Sequence, residues 1–563
     1  MKKYTSACSA AGPERDAGAA AGPESAAGSA AASTGGPERE AYAASATADP
    51  PEQGICTISA TTAAPEVDGC AASAGGPEQG SGAPCFGASS FLKPLSRRFG
   101  FMVCAQWGSG LLSGVFMILL ARSGPETFGL FTLAAALGML VAMVTGAGFD
   151  SYLVPLLSEN RADKRGILLH TLRIQLRLMF LSLALLAFLC FCLGYGLEKT
   201  RVILIVAGGM GPLSASQSFF ALCRVQGRQD TEMRIRVPAA FAGSLFGIGA
   251  LLLDAPLPVT ACFKLAEASV VFLCIAPLLR RRSGIYAPRT GTRHPRGRDA
   301  MIFAGIAVCG LLYNKLNMYM LDYGSGAYAL GLYNAPWELV DGLSILISGA
   351  LIEKVMFPLM AGQWNKDRAS FMRLNNFSVK CLLLLGLVSG YPLFTEGDRI
   401  LDLIYGQTYL EAAGLLRAQL PCITASFLHN LAVCMLLSMG LHRQVFVVYL
   451  AGLALNIALC AMLIPAQEAW GAAWAISGTK TFMAACTVGL AMRRGLEFRP
   501  AHLCGAAAAV LAALGVHSFC LPILPREAAE LLGFLPLLVP AALWLPHMFV
   551  KDQGANGRGD THE

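Results

Sequence analysis

The sequence predicts an all-α polytopic membrane protein of about fourteen transmembrane helices, arranged as two parallel six-helix lobes plus two C-terminal helices. Three observations predict this class. Apolar segments of spanning length follow one another through most of the chain. Lysine and arginine are confined largely to alternate loops. A pair of motifs recurs at an offset of 202 residues.

The apolar segments come first. Of 563 residues, 55% are hydrophobic and 14% charged, with a mean hydropathy of +0.54. A soluble domain carries about 25% charged residues, so most of this chain is not built to meet water. A spanning helix needs about twenty mostly apolar residues. On that basis spans are expected at 99–121, 127–149, 174–197, 201–222, 234–254, 258–279, 300–321, 330–352, 377–396, 411–438, 444–464, 469–491, 501–522 and 529–549. The loops between them are short, leaving no extramembrane domain for chemistry. The 18 cysteines are scattered mostly singly within apolar runs, without C-x-x-C or Cys/His spacing, and read as small buried hydrophobes. No metal site and no cofactor are expected.

Residues 1–90 are a different material, rich in Ala, Gly, Ser, Pro and Glu, with Gly-Pro-Glu recurring at 12–14, 22–24, 36–38 and 76–78. Such a segment has too little apolar area to offset the chain entropy of folding, so a disordered tail is expected. A tethering role and a true start near Phe91 are both compatible with it. Met1-Lys2-Lys3 opens like a signal peptide, but no apolar core follows.

The charge asymmetry gives orientation. One set of alternate loops holds Lys93, Arg97 and Arg98, then Arg161, Lys164 and Arg165, then Arg224, Arg228, Arg234 and Arg236. It continues through the Arg280–Arg298 linker, Lys366, Arg368, Arg373, Arg443, Arg493, Arg494 and Arg499. The opposite loops offer Arg122, Lys199, Arg201, Arg399 and Arg526. The alternation does not reverse along the chain, so an even span count with both termini cytoplasmic is expected. The net charge of +7 is therefore a topology signal, not a nucleic-acid footprint.

The repeat divides the spans. Phe128-Gly129-Leu130-Phe131-Thr132 opens the second, and Leu330-Gly331-Leu332-Tyr333-Asn334 the eighth. Val154-Pro155-Leu156-Leu157 and Phe357-Pro358-Leu359-Met360 follow them, each before a charged loop. The offset is 202 residues at the glycine and 203 at the proline, which is six helices. An even number keeps both copies in the same orientation, the parallel repeat of a secondary transporter with its site between the halves. The expected organisation is a tail at 1–90, an N-lobe at 91–283 and a basic linker at 284–299. A C-lobe at 300–495, two further helices at 496–550 and a C-terminal tail at 551–563 complete it.

Several segments then resemble a known family. Leu120-Ala121-Arg122-Ser123-Gly124-Pro125-Glu126-Thr127-Phe128-Gly129-Leu130-Phe131 looks like the first periplasmic loop of the oligosaccharide (O-antigen type) flippases, also called polysaccharide transporters. These belong to the multidrug/oligosaccharidyl-lipid/polysaccharide (MOP) superfamily. Gly148-Phe149-Asp150, the helix-eight opening Gly331–Glu338, and Ile404-Tyr405-Gly406-Gln407-Thr408-Tyr409 with Ala412-Ala413 agree in order and spacing over about residues 95–495. One departure concerns helix seven, where Asn314-Lys315 stands in place of the acid–base pair frequent in the family. The resemblance implies a MATE-like fold in the bacterial inner (plasma) membrane. It implies alternating-access flipping of polyprenyl-diphosphate-linked oligosaccharide to the outer leaflet for lipopolysaccharide, capsule or exopolysaccharide synthesis. Implied partners are that lipid-linked substrate, the bilayer, a polysaccharide polymerase and glycosyltransferases.

Moving a diphosphate and a sugar chain through a bilayer calls for cations and hydrogen-bonding groups inside the spans, where ionisable residues are costly. Lys480, near the middle of helix twelve, is the first candidate for an anion contact. Lys315, with Asn314 and Asn317, lies deep in helix seven, with snorkelling to the outer surface as its alternative. Lys264 and Glu267 are spaced to pair on one helix face. Arg177 and Arg417 are weaker cavity candidates, equally suited to interfacial anchoring. Glu338 and Asp341 on helix eight, with Glu267, are coupling candidates, the alternative being that they only neutralise the lysines. Trp107, Tyr313, Tyr319, Tyr333 and Trp337 are candidates for stacking on sugar rings, against a packing role. His429 and Asn430 read as interhelical hydrogen-bond residues.

An enzyme is not expected, since no P-loop, H-E-x-x-H or G-x-S-x-G element is present. A drug/cation antiporter of the same superfamily would be expected to carry an acid in helix one, which offers Gln106. A peptidoglycan lipid-precursor flippase is the nearer alternative.

Overall fold

In the computed structural model the apolar segments become long helices. The structure describes residues 110, 113–149, 153, 157, 164–226, 228–280, 297–348, 352, 356, 360, 364, 367–496 and 500–549. The tail at 1–90, most of helix one with Gln106 and Trp107, most of the basic linker, Asp150 and the tail at 551–563 lie outside them. All of the description falls within one unit, Gly54–Glu563.

Helix one is described to its end at residue 121. Helices two to six are Pro125–Gly146, Lys164–Cys192, Leu197–Val225, Gln229–Leu252, and a sixth in two pieces, Leu257–Ala261 and Phe263–Arg280. Helices seven and eight share the stretch Gly297–Ile347 and reverse at Gly326, whose φ of 84° a side chain would strain. Helix nine is Arg368–Thr395, and Asp367 caps it by accepting from the Ala369 and Ser370 amides at 3.0 and 3.1 Å. Helices eleven and twelve share His442–Arg493 and reverse at Glu468. Helices thirteen and fourteen are Pro500–Cys520 and Arg526–Phe549. No described residue is in a strand.

Two expectations are corrected. Helix three begins at Lys164, not 174, because Ile167, Leu168 and Leu172 carry a buried apolar face back through its charged first turns. The tenth span is not continuous. A surface helix, Gly397–Tyr405, precedes a 3₁₀ turn, Gln407–Ala412, then Ala413–Gln419 and Pro421–Ser438. Pro421 has no N–H to give the preceding turn, so the helix restarts there.

Helices two to six pack on one another, as do seven to twelve, while thirteen and fourteen pack together against nine. The N-lobe core centres on three rings, Phe116 stacked on Phe263 at 4.2 Å and edge-on to Phe131 at 5.6 Å. Between helices in lipid, such packing, rather than release of water, supplies the attraction. The ends expected to face away from the basic loops meet as a set. Lys199 reaches Asp322, and Arg526 reaches Glu396 and Asp398. That shared end is called the outer end below, after the side on which the charge asymmetry of the sequence is expected to place it.

Arg526 fastens the last two helices. It donates to Glu396 at 2.6 Å, to Asp398 at 2.7 and 3.1 Å, and to the Thr395 carbonyl at 3.0 Å. These bonds hold the Asp398 carboxyl, in the surface helix, below the usual aspartate range. A lowered folded pKa stabilises the docked state above the unfolded value of about 3.9, and this is lost as pH falls through the lowered value. Arg526→Ala will loosen helices thirteen and fourteen by about 1 kcal/mol, the scale of a partly hydrated ion pair. Faster protease cleavage in loop 521–525, with no added sensitivity when pH is lowered below 4, is the readout.

Candidate functional site: a buried charge and aromatic cluster in the C-lobe

Helix eight carries Tyr333, Trp337 and Asp341 four residues apart, and that spacing places them on one face. Asn334 and Glu338 form the adjacent strip. Helix twelve brings Lys480 across this face, and helices seven and ten close it with Asn317 and Ser426. The Lys480 side chain is 7% exposed. Its Nζ donates to Ser426 Oγ at 3.1 Å and to Asp341 Oδ1 at 3.5 Å, and lies 4.8 Å from the centre of the Trp337 ring. The ammonium is thus held by one firm hydrogen bond, one long ion pair and a ring face. Only the Asp341 bond is at the limit of hydrogen-bond length.

Trp337 and Tyr333 are fully buried and stack with an interplanar angle of 12°. The Tyr333 hydroxyl accepts from Asn317 at 2.6 Å, and its carbonyl accepts from Gln419 at 3.2 Å. Asn334 donates to Glu338 at 3.3 Å, and the charge of Lys315 acts on Glu338 from helix seven. Five buried polar atoms here have no partner among the described residues: Asn314 Oδ1, Asn317 Oδ1, Asn334 Oδ1, Trp337 Nε1 and Gln419 Oε1. A buried polar atom without a hydrogen bond costs about 1–3 kcal/mol. The interior of this lobe therefore has more hydrogen-bonding capacity than its own packing uses.

The structure brings Lys480, Lys315, Glu338, Asp341, Asn314, Tyr333 and Trp337 into one lobe. Two lysines and two carboxylates of this set lie in the lobe, with Lys480 and Asp341 paired at 3.5 Å, so the set is balanced in charge rather than cationic. It does not bring in the others. Lys264 pairs with Glu267 at 2.7 Å within helix six of the N-lobe. Arg177 is exposed on helix three. Arg417 is exposed and donates to the Phe394 carbonyl at 3.1 Å. Tyr319 donates to the Ala136 carbonyl across the lobes at 2.9 Å, and Tyr313 packs edge-on to Tyr449. His429 lies 3.2 Å from both Thr487 Oγ1 and Tyr449 Oη, while Asn430 donates to Ser348. Each bonds across to another helix.

Sequence reasoning missed Ser426 and Gln419, which carry no charge to mark them. It also left unread a signal in the repeat. A shift of 202 residues carries Tyr333, Trp337 and Asp341 onto Phe131, Ala135 and Met139. The N-lobe fills the same positions with apolar side chains, so this chemistry belongs to one half alone.

Residues 95–364 match the family profile described as "Polysaccharide biosynthesis protein". Over that span, just under half of its length, the chain is similar to this polysaccharide biosynthesis family. No curated protein matches it. Among solved structures, the chain is similar to the lipid II flippase MurJ in an inward closed conformation. The two are 14% identical, with a TM-score of 0.61 over 80% of this chain and 99% of that one. It is also similar to a multidrug resistance MATE family transporter of the MOP superfamily, inward-facing, at 14% identity and a TM-score of 0.51 over 69% and 94% of the two chains. At 16% identity it matches the MATE multidrug transporter DinF-BH, with a TM-score of 0.50 over 74% and 98%. These likenesses establish a MATE-like multi-pass membrane fold.

Proposed function

We propose that this protein flips polyprenyl-diphosphate-linked oligosaccharide from the cytoplasmic to the outer leaflet of the bacterial inner membrane by alternating access. The two six-helix lobes rock about the region between them, and both termini lie in the cytoplasm. The observation that carries this reading is Lys480: a buried ammonium inside the C-lobe, held to Asp341 by a long bond of 3.5 Å. A cargo phosphate that approaches the ammonium to the usual charge-assisted distance of about 2.7–2.9 Å makes a shorter and stronger bond than this one. It takes the place of Asp341 on the ammonium, while Ser426 and the Trp337 face keep the lysine positioned. Lys315 is the second cation of the proposed site, and Glu338, bonded to Asn334, its second acid. Glu338 and Asp341 are the coupling acids, and Glu267 is a weaker candidate because it is engaged with Lys264.

The test is export in a strain lacking its own polysaccharide flippase. Wild-type chain restores surface polysaccharide, and Lys480→Ala reduces it by at least tenfold, with Lys315→Ala weaker. Normal export by both variants overturns the assignment of the cluster. Rescue of a lipid-precursor flippase mutant instead transfers the proposal to the peptidoglycan alternative. Drug resistance without either rescue transfers it to the antiporter alternative.

A further inference from the structure

The repeat glycines lie outside the cluster, and their surroundings are unusual. A Cβ on Gly129 would fall 1.9 Å from the Ala327 carbonyl oxygen, and one on Gly331 would fall 1.9 Å from the Pro125 carbonyl oxygen. No side chain fits at either point, so helices two and eight touch backbone to backbone. The two contacts are one contact seen twice. Shifting 129 and 125 by 202 gives 331 and 327, so each glycine meets the residue four positions before its counterpart. Such reciprocity is the mark of an axis of two-fold symmetry, here an approximate one between the lobes.

Around this crossing the lobes are strapped at the same outer end. Asp322, at the end of helix seven, has a side chain with 0% exposure. It accepts from Lys199 of the N-lobe at 2.6 and 2.7 Å, and from the Tyr195 hydroxyl at 2.9 Å. Arg122 donates to the Leu403 and Ile404 carbonyls at 2.6 and 2.9 Å. Towards the other end the same helices expose Val144 at 46% and Ile345 at 64%.

We propose that the Gly129–Gly331 crossing is the outer seal between the lobes and that Lys199–Asp322 is its latch. Two glycines make a contact that parts without leaving side-chain holes, so the seal itself is inexpensive to open. The latch sets the cost. Opening strips a fully buried carboxylate of its ammonium and its phenol, and a buried charge left without its partner is strongly disfavoured. The ion pair thus decides how much of the population is closed at this end. The assignment needs no knowledge of the cargo, but it rests on the rocking of the two lobes in the proposed function.

Hydrogen exchange on the full chain in lipid nanodiscs tests it. Asp322→Asn and Gly331→Ala are expected to raise exchange in segments 193–200 and 322–331 by roughly tenfold, the factor about 1.4 kcal/mol makes in an equilibrium. Segment 439–443, at the other end, stays unchanged or becomes more protected. The swap of Lys199→Asp with Asp322→Lys restores protection relative to Asp322→Asn. Unchanged exchange at the outer end overturns the proposal, and so does an equal rise at both ends, which is general loosening. Asp322→Asn adds no bulk, so the answer stands if Gly331→Ala fails to fold.

Discussion

Replacing Lys480 by Met will lower the stability of the purified protein by about 3 kcal/mol, and adding Asp341→Leu will return most of that loss. The reason is the asymmetry of a buried pair. Lys480 and Asp341 are 7% and 15% exposed, so removing the lysine leaves a carboxylate with little water and no cation. Removing both leaves two apolar side chains in an apolar lobe, which packing tolerates. Thermal unfolding in detergent reads the first part. Export reads the second and separates structure from function. The double variant is expected to be stable and inactive, because no ammonium remains to take an anion. A double variant that exports normally makes the pair a brace for the lobe and removes it from the site.

Trp337→Ala carries the next largest effect. The side chain is fully buried, stacks on Tyr333 and lies under the Lys480 ammonium. Truncating a buried Trp costs about 3–5 kcal/mol, and a desolvated cation–π contact adds about 2 kcal/mol. The variant is expected to unfold at much lower temperature and to lose export. Trp337→Phe is the informative companion. It keeps a ring face beneath the lysine and removes an indole N–H that has no partner among the described residues. It is expected to retain most of the stability, and the fraction of export it keeps measures what that N–H contributes. A Phe variant as unstable as Ala shows that ring volume, not the cation contact, is what the site requires.

The number of helices and their alternation were legible because both are one-dimensional. Lipid demands about twenty apolar residues per crossing whatever the neighbours are, and charge selects the side. The structure moves the start of helix three and breaks the tenth span, since an apolar face can run back through charged turns and a proline interrupts a helix. The repeat glycines were visible as a pattern, but their close approach was not. Nothing in Phe-Gly-Leu says that another backbone lies against the glycine.

The site divides along the same line. That Tyr333, Trp337 and Asp341 share a face, as do Lys264 and Glu267, follows from helical spacing, which relates residues on one element. Whether Lys480 meets Asp341 and Ser426, whether Lys199 meets Asp322, and why Arg417 faces outward all depend on the rotation and depth of separate helices. Those are set by packing among many side chains at once. Spacing along the chain fixed the helices and the faces they carry. Only the assembled lobes settled which faces meet, and with them the balance of charge in the cluster and the closure at its outer end.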